Sequence, residues 1–366
     1  VTRAVAIALS LALGAPAVRA LEPGASIGPT EVERLGDLVL PGVADAVRRG
    51  MRVEVVERKQ IRWRKAYREA TEKNQGQARL GPNGELLGYV AGLPFLNLEE
   101  SDPQIADKIV WNYACGPWRL DDARAFSFQW ETGKLHEGRG MSVQSGENQD
   151  AEQSKWIRLV GRTEVEPIPR FEENDGKILD MEIFGPTLPV FLTVLRSGPL
   201  LTYRHLGLEE DDVWYWTSWD RKTRRIPPQI RYESFGDVVI DLNSSWGLNV
   251  PHGSYRWKLL GERKMLGVLH GKKYPAEWCP GAGDFAPCES WEERTVYVVE
   301  GTSLQSYDSY SKRIVAIDKE SWVVLATDLF AKDGTRWKTW INFWSYRPYA
   351  RGGGDAEDVA YLLAGS

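Results

Sequence analysis

Trp337-Lys338-Thr339-Trp340-Ile341-Asn342-Phe343-Trp344 is the stretch on which the fold turns. In an extended chain successive side chains point to opposite faces, so Ile341 and Phe343 face one way and Trp340 and Trp344 the other. A sheet with one wet face alternates apolar and polar residues more cleanly. A strand apolar on both faces belongs to a sheet that packs on something at one face. At its other face such a sheet encloses a cavity or meets helices.

Working outward, the same texture runs from about residue 77 to 346. Short apolar and aromatic runs are separated by the turn signals Pro82-Asn83-Gly84, Thr132-Gly133-Lys134, Asn174-Asp175-Gly176 and Lys332-Asp333-Gly334. This spacing predicts antiparallel strands and hairpins. The candidate strands are 125–131, 156–166, 200–205, 212–218, 255–262, 294–300, 311–318, 322–331 and 337–346. Before them, 21–75 forms an N-terminal helical segment. Val32, Leu35, Leu38 and Val39 recur at helical spacing, 51–56 is a short β-prone piece, and 60–73 reads as an amphipathic helix. A further helix is expected over 101–114, opened by Asp102-Pro103. The β domain extends over 76–350, and the glycines of Arg351-Gly-Gly-Gly-Asp355 introduce a loose tail over 351–366.

Residues 1–20 are of a different kind. Arg3 precedes the apolar run Ala4 to Gly14, Pro16 breaks it, and Val18-Arg19-Ala20 supplies small residues before Leu21. This is the pattern of a cleaved secretory signal, and the run is short of the ~20 residues of a membrane span. Without Arg3 and Arg19 the 46 basic residues become 44 against 51 acidic ones, a net charge of −7. Such a balance gives no general electrostatic reason to bind nucleic acid. Export places the three cysteines in an oxidising compartment. Cys279 and Cys288 flank a Pro/Gly-rich loop, and their short separation favours a disulfide between them. The alternatives are that both stay reduced, or that Cys115 takes one of them.

Several chemistries find no support. The four histidines, 136, 205, 252 and 270, lack metal-ligand spacing. No Gly-x-Ser-x-Gly occurs, and Gly352-Gly-Gly354 lacks the context of a phosphate loop. The acidic pairs Glu99-Glu100, Asp121-Asp122 and Glu209 to Asp212 lie in polar, loop-like stretches, whereas glycosidases hold two carboxylates ~5–9 Å apart across a bond. No catalytic residue and no cofactor is assigned. Arg221, Lys222, Arg224 and Arg225 form a basic cluster, read either as a solvated turn pairing with Glu209 to Asp212 or as a surface for an acidic partner or phosphate.

The sixteen tryptophans and fourteen tyrosines are the most unusual feature of the composition. They serve equally as an aromatic β-core or as a lined binding face. Tyr203, Trp214, Trp216, Trp257, Tyr297 and Trp340 are the candidate lining residues, chosen from aromatic strand positions.

One segment carries a resemblance. Ala91-Gly92-Leu93-Pro94-Phe95, then Asp102-Pro103-Gln104, then Trp111-Asn112-Tyr113, is similar to part of the DUF1329 family of exported bacterial proteins. Further matches follow in order at Leu201 to Arg204, Asp212 to Trp216, Ser218 to Ile226, Tyr255 to Gly261, Arg294 to Val299, Ser311 to Trp322 and Trp337-Lys338. Together they span roughly 60–346. Ser218 departs from the pattern, standing where a proline is usual, and the residues after Ile226 differ as well. The family is related to outer-membrane lipoprotein-sorting (LolA/LolB-like) proteins. The resemblance therefore implies an unclosed, strongly curved antiparallel β-barrel in a mainly β (α+β) protein, with helices covering the concave face. It further implies a periplasmic carrier or chaperone of a lipid or acylated molecule, linked to an inner-membrane exporter of the resistance-nodulation-division type. A carbohydrate-binding or polysaccharide-processing β-protein is the alternative that the aromatic residues leave open.

Overall fold

The computed structural model describes residues 21–125, 128–136, 140–148, 154–184, 199–217, 220–232, 241–272, 276–349 and 357–365. The signal reading of 1–20 lies outside them.

The strand that contains Trp337 to Trp344 runs over Arg336–Tyr349 and belongs to an eight-stranded sheet. The order is Ser26–Ile27, Val53–Val56, Ser290–Ser303, Lys312–Asp318, Val324–Phe330, Arg336–Tyr349 and Glu357–Gly365, with Tyr255–Gly267 also paired to Ser290–Ser303. Every pairing is antiparallel except that of Val53–Val56 with Ser290–Ser303. The sheet is strongly curled into an open half-barrel. At one end its margins meet: beyond Ile341 the strand leaves Val324–Phe330, Trp344 N–H donates to Val268 O at 3.0 Å, and Gly271 N–H donates to Trp344 O at 2.9 Å.

Both faces of this sheet are buried, as the opening stretch predicts. Val296, Val298, Ala316, Ile341 and Phe343 join one apolar core, while Tyr297, Val299, Val315 and Ile317 join another. Trp344 belongs to the core of Ile341 and Phe343 rather than to the opposite face, and the pairing with Glu357–Gly365 shifts register between Phe343 and Trp344. A 3₁₀ stretch over Pro29–Leu38 and helix α1, Pro41–Arg48, cover the first core with Val32, Leu35, Leu38, Val43 and Val47. Gly42 lets α1 approach closely, since a Cβ there would lie 1.8 Å from Thr339 Oγ1. Helices α2, Lys65–Asn74, and α3, Ile105–Ala114, cover the second core with Tyr67, Ile105, Ile109, Val110 and Tyr113.

The helix expected over 60–73 starts five residues late. Tertiary bonds outrank its propensity. Lys59 N–H donates to Glu292 and Ile61 N–H to Glu320, each at 3.0 Å, and buried Arg64 reaches Glu164, Pro117 O and Arg119 O. The C-terminal segment is corrected outright. Glu357–Gly365 is a strand paired with Asn342 through Tyr349, not a loose tail. Cys279 and Cys288 form a disulfide, and Cys115 is buried and free.

The second sheet has six antiparallel strands in the order Lys222–Ile226, Asp212–Thr217, Leu200–His205, Ile178–Phe184, Ser154–Arg158 and Asp122–Ala125. Leu200–His205 has the expected bounds. Ile178–Phe184 was not expected, and the basic cluster turns out to lie largely within a strand.

Candidate functional site

The six-stranded sheet buries a mixed face, with Leu200, Val213 and Ile226 beside charged residues, and carries a row of half-buried aromatic and aliphatic residues on the other, with Lys155, Asp212 and Arg225 among them. Register places Ile157, Met181, Ile183, Leu201, Tyr203, Trp214 and Trp216 on one side. All are half-buried except Trp216, which is 36% exposed, and none belongs to a buried core cluster. The opposite side carries Arg158, Asp180, Glu182 and Thr202, all buried, together with Arg204.

Beneath the sheet these charges pair with one another only in part, since Arg119 Nε, Glu182 Oε1, Arg204 Nη2 and Asp211 Oδ2 are buried without a hydrogen bond. Arg204 Nε donates to Asp180 Oδ1 at 2.6 Å, and its Nη1 donates to Asn249 Oδ1 at 2.7 Å and lies 3.5 Å from Glu182. Arg231 Nη2 lies 3.1 Å from Asp211, both buried. Burial pushes the Asp180 carboxyl up, but Arg204 and Arg119 outweigh it and hold the group below the usual carboxylate range. Burial wins at neighbouring Glu182 and raises it, against the same two cations. Burial, helped by Arg204, brings Arg119 down to about 10. Buried ions in a shared low-dielectric layer shift in this way when partners are unequally placed. The layer supports the sheet from one side, and the aromatic and aliphatic row lies on the other, half-buried except at Trp216.

The six candidate lining residues divide. Tyr203, Trp214 and Trp216 share the apolar side. Trp257 and Tyr297 lie in the second barrel core, each 7% exposed. Trp257 stacks on Tyr255 with ring centroids 5.5 Å apart, packs over Gly301 opposite it in register, and borders a crevice of about 370 Å³ beside the start of α3. Tyr297 stacks on Trp322 at 5.9 Å. Trp340 is half-buried, and its Nε1 donates to Asn342 Oδ1 at 2.5 Å. Of the basic cluster, Arg225 pairs with Asp212 across the hairpin and Arg224 with Asp220, while Lys222 N–H donates to Asp220 and Arg221 occupies a left-handed turn position. Among the described residues no cluster of His, Cys, Asp and Glu could hold a metal ion.

Sequence reading missed the aliphatic middle of the face, Ile157, Met181, Ile183 and Leu201. The signal was present as the alternation Asp180-Met181-Glu182-Ile183, but alternation does not say which side is buried.

Among solved structures the chain is similar to a domain described as an outer membrane lipoprotein-sorting protein from Vibrio parahaemolyticus. The two share 14% identity with a TM-score of 0.42, over 70% of this chain and 81% of that one. A DUF1329 family protein from Desulfovibrio piger shares 16% identity with a TM-score of 0.37, over 61% and 71%. A LolA superfamily protein from Nitrosomonas europaea shares 12% with a TM-score of 0.31, over 65% and 76%. No curated protein matches the chain. The motifs around Phe95 and Trp111, the strands that follow them and the C-terminal strand all fall within 26–364, the span that matches the DUF1329 family of proteins of unknown function, and the chain belongs to that family.

Proposed function

We propose that this chain is a non-catalytic periplasmic carrier or chaperone of an apolar ligand, a lipid or an acylated molecule, held on the aromatic and aliphatic side of the six-stranded sheet. The observation that carries the reading is the row of Met181, Ile183, Leu201, Trp214 and Trp216 on one side of the sheet, only half-buried or, at Trp216, exposed, while charged Asp180 and Glu182 are buried on the other. A contiguous apolar patch on a folded chain marks an interaction surface. Four adjacent strands contribute to it, a width of about 14 Å at the usual strand spacing. A hydrocarbon chain laid across it gains roughly 0.8 kcal/mol per methylene removed from water. No bond is made or broken; release requires a partner or a motion that lowers affinity. Among the described residues no helix is long and apolar enough to cross a membrane. For the partner we place an inner-membrane exporter of the resistance-nodulation-division type, with the Arg221, Lys222, Arg224, Arg225 hairpin as its docking point.

A second reading has an observation of its own. Trp214 and Trp216 are neighboured on the same side by Asp212, Thr223 and Arg225, the polar rim that a saccharide site uses. The branched aliphatic centre formed by Ile157, Ile183 and Leu201 suits an acyl chain better than a sugar ring, and the lipid reading stands on that centre.

The test is native mass spectrometry of the exported chain with solvent extraction of bound molecules. The expected result is a co-purifying lipid that is lost in Trp214→Glu/Trp216→Glu, with thermal unfolding little changed because both residues are partly exposed. A chain that carries nothing, and fails to take up fluorescent fatty acids or phospholipids, sinks the reading. Retention of an oligosaccharide by an array would then favour the second.

A further inference from the structure

The stretch from Asp241 to Ser254 is a strap bonded to both sheets. Toward the half-barrel, Asp241 accepts the Tyr310 hydroxyl, Asn243 O accepts Arg313 Nη1 at 3.0 Å, and Trp246 O accepts Asn342 Nδ2 at 2.9 Å. Toward the six-stranded sheet, Asn249 Oδ1 accepts Arg204 Nη1 at 2.7 Å. Arg231, just beyond the last strand of that sheet, donates to Asn243 Oδ1 at 3.0 Å and to Asn249 O at 3.1 Å. A separate tie lies at Glu210, whose Oε1 accepts Ser254 Oγ at 2.8 Å and Gln305 Nε2 at 3.1 Å.

The middle of the strap is held in an unusual conformation. Trp246 has φ +62° and ψ +10°, in the left-handed region, and Gly247 follows at φ +80°. Bulky side chains seldom adopt that region, and a residue kept there is held by its surroundings. Around Trp246 those surroundings are two other indoles. Its ring stacks on Trp344 of the half-barrel, with centroids 6.5 Å apart, and meets Trp156 of the six-stranded sheet edge-on at 5.7 Å. Trp156 is in register with Glu182 and so lies on the side of its sheet that carries the ionic layer. Gly247 seats the turn, since a Cβ there would lie 2.8 Å from Val324 Cγ1 and 2.9 Å from Thr327 Oγ1. Ring contacts favour the seated turn and backbone strain opposes it, so the free-energy difference between seated and released is smaller than either.

We propose that Trp246 is a latch: seated between Trp156 and Trp344 it holds the six-stranded sheet against the half-barrel, and its release is the motion that lets the cargo go. The second half rests on the carrier reading, and the first does not. The row of Met181, Ile183, Leu201 and Trp214 lies on the reverse of strands that the strap backs through Arg204 and Trp156. A face held in one shape binds at a lower ordering cost, and it loses affinity when its backing is freed. The bonds of Glu210 keep the sheet tethered while the latch is out.

Hydrogen exchange read by mass spectrometry on the full chain, with Trp246→Gly and Gly247→Ala, tests the latch. The first removes the ring and leaves a residue at ease at positive φ; the second keeps the ring and blocks its seat. Both are expected to speed exchange in Ser154–Arg158 and Leu200–His205 at least about tenfold, with Ser290–Ser303 and Lys312–Asp318 unchanged. Trp246→Phe, with a smaller ring in the same slot, is expected to give the same pattern more weakly, and keeps the result readable if the other two fold poorly. Exchange unchanged in all three variants, or raised alike in both sheets, overturns the latch. The cargo step is read as the dissociation rate of a fluorescent fatty acid, expected to rise at least about threefold in Trp246→Gly and Gly247→Ala. An unchanged rate beside the expected exchange overturns the part in release. A chain that takes up no fatty acid removes the carrier reading and the release step with it, while the exchange pattern still decides the latch.

Discussion

Cys115 closes α3, fully buried, with its carbonyl accepting the Tyr67 hydroxyl at 2.8 Å. Burial pushes its thiol up to about 11. Thiolate is the reactive form, so at pH 8 the folded chain presents well under about 1% of it, and behind a packed wall. A thiol reagent is therefore expected to label nothing at pH 8 in the folded chain and one thiol per chain in denaturant, Cys279 and Cys288 being paired. Two or three reactive thiols would refute the pairing, and rapid labelling without denaturant would refute the burial. The linkage has a definite sign. The folded thiol holds its proton more tightly than the unfolded one, so its contribution to stability is present below the ordinary thiol range and is lost as pH rises from there through about 11. At this scale the sequence was partly legible. The disulfide could be read because its cysteines are nine positions apart. The need for glycine at 42 could not, because Asp328, which accepts its N–H, is 286 positions away.

Elements were legible where local pattern and tertiary placement agree. Leu200–His205 and Lys312–Asp318 fall within a residue of expectation because their hydrophobic runs end at turn residues. Helix α2 starts late because Arg64 is claimed by Glu164, Pro117 O and Arg119 O, none of them local. The C-terminal strand escaped notice because the three glycines at 352–354 read as loosening the chain, whereas a connection before a returning strand can be glycine-rich too. That strand has a mechanical consequence. Glu357–Gly365 covers the margin of Arg336–Tyr349 from Asn342 onward, and uncovered strand margins pair with other chains. Deletion of 357–366 is expected to lower the unfolding temperature and to produce dimers or larger species in size-exclusion chromatography with light scattering. A monomeric deletion variant of unchanged stability would show that the strand contributes nothing to the barrel.

At the scale of the whole molecule the two sheets are held by different forces. Strands apolar on both sides announced the barrel, and each side does bury an apolar core, one under α1 and the other under α2 and α3. The six-stranded sheet was legible only in part as strands, Ile178–Phe184 and Lys222–Ile226 being missed, and not in its orientation, because Asp180 and Glu182 look like outward residues until Arg204 and Arg119 are known to lie beneath them. Apolar burial contributes stability in proportion to area, whereas desolvation of buried ions offsets most of their mutual attraction. The second sheet has half-buried apolar groups on one side and, on the other, only a few buried apolar residues (Leu200, Val213 and Ile226) beside an ionic layer, so its local free energy of opening should be the smaller. Hydrogen exchange read by mass spectrometry at neutral pH measures this directly. Amides of Leu200–His205 and Asp212–Thr217 are expected to exchange at least about tenfold faster than those of Ser290–Ser303 and Lys312–Asp318, a gap of about 1.4 kcal/mol in opening free energy. A bound apolar ligand should slow the first pair of strands and leave the second unchanged, because only the first presents the proposed face. Equal protection in the two sheets would mean that they open as one unit and that the ionic layer holds as firmly as the apolar cores. Slowing confined to the barrel strands would move the ligand off the six-stranded sheet, to the crevice beside Trp257.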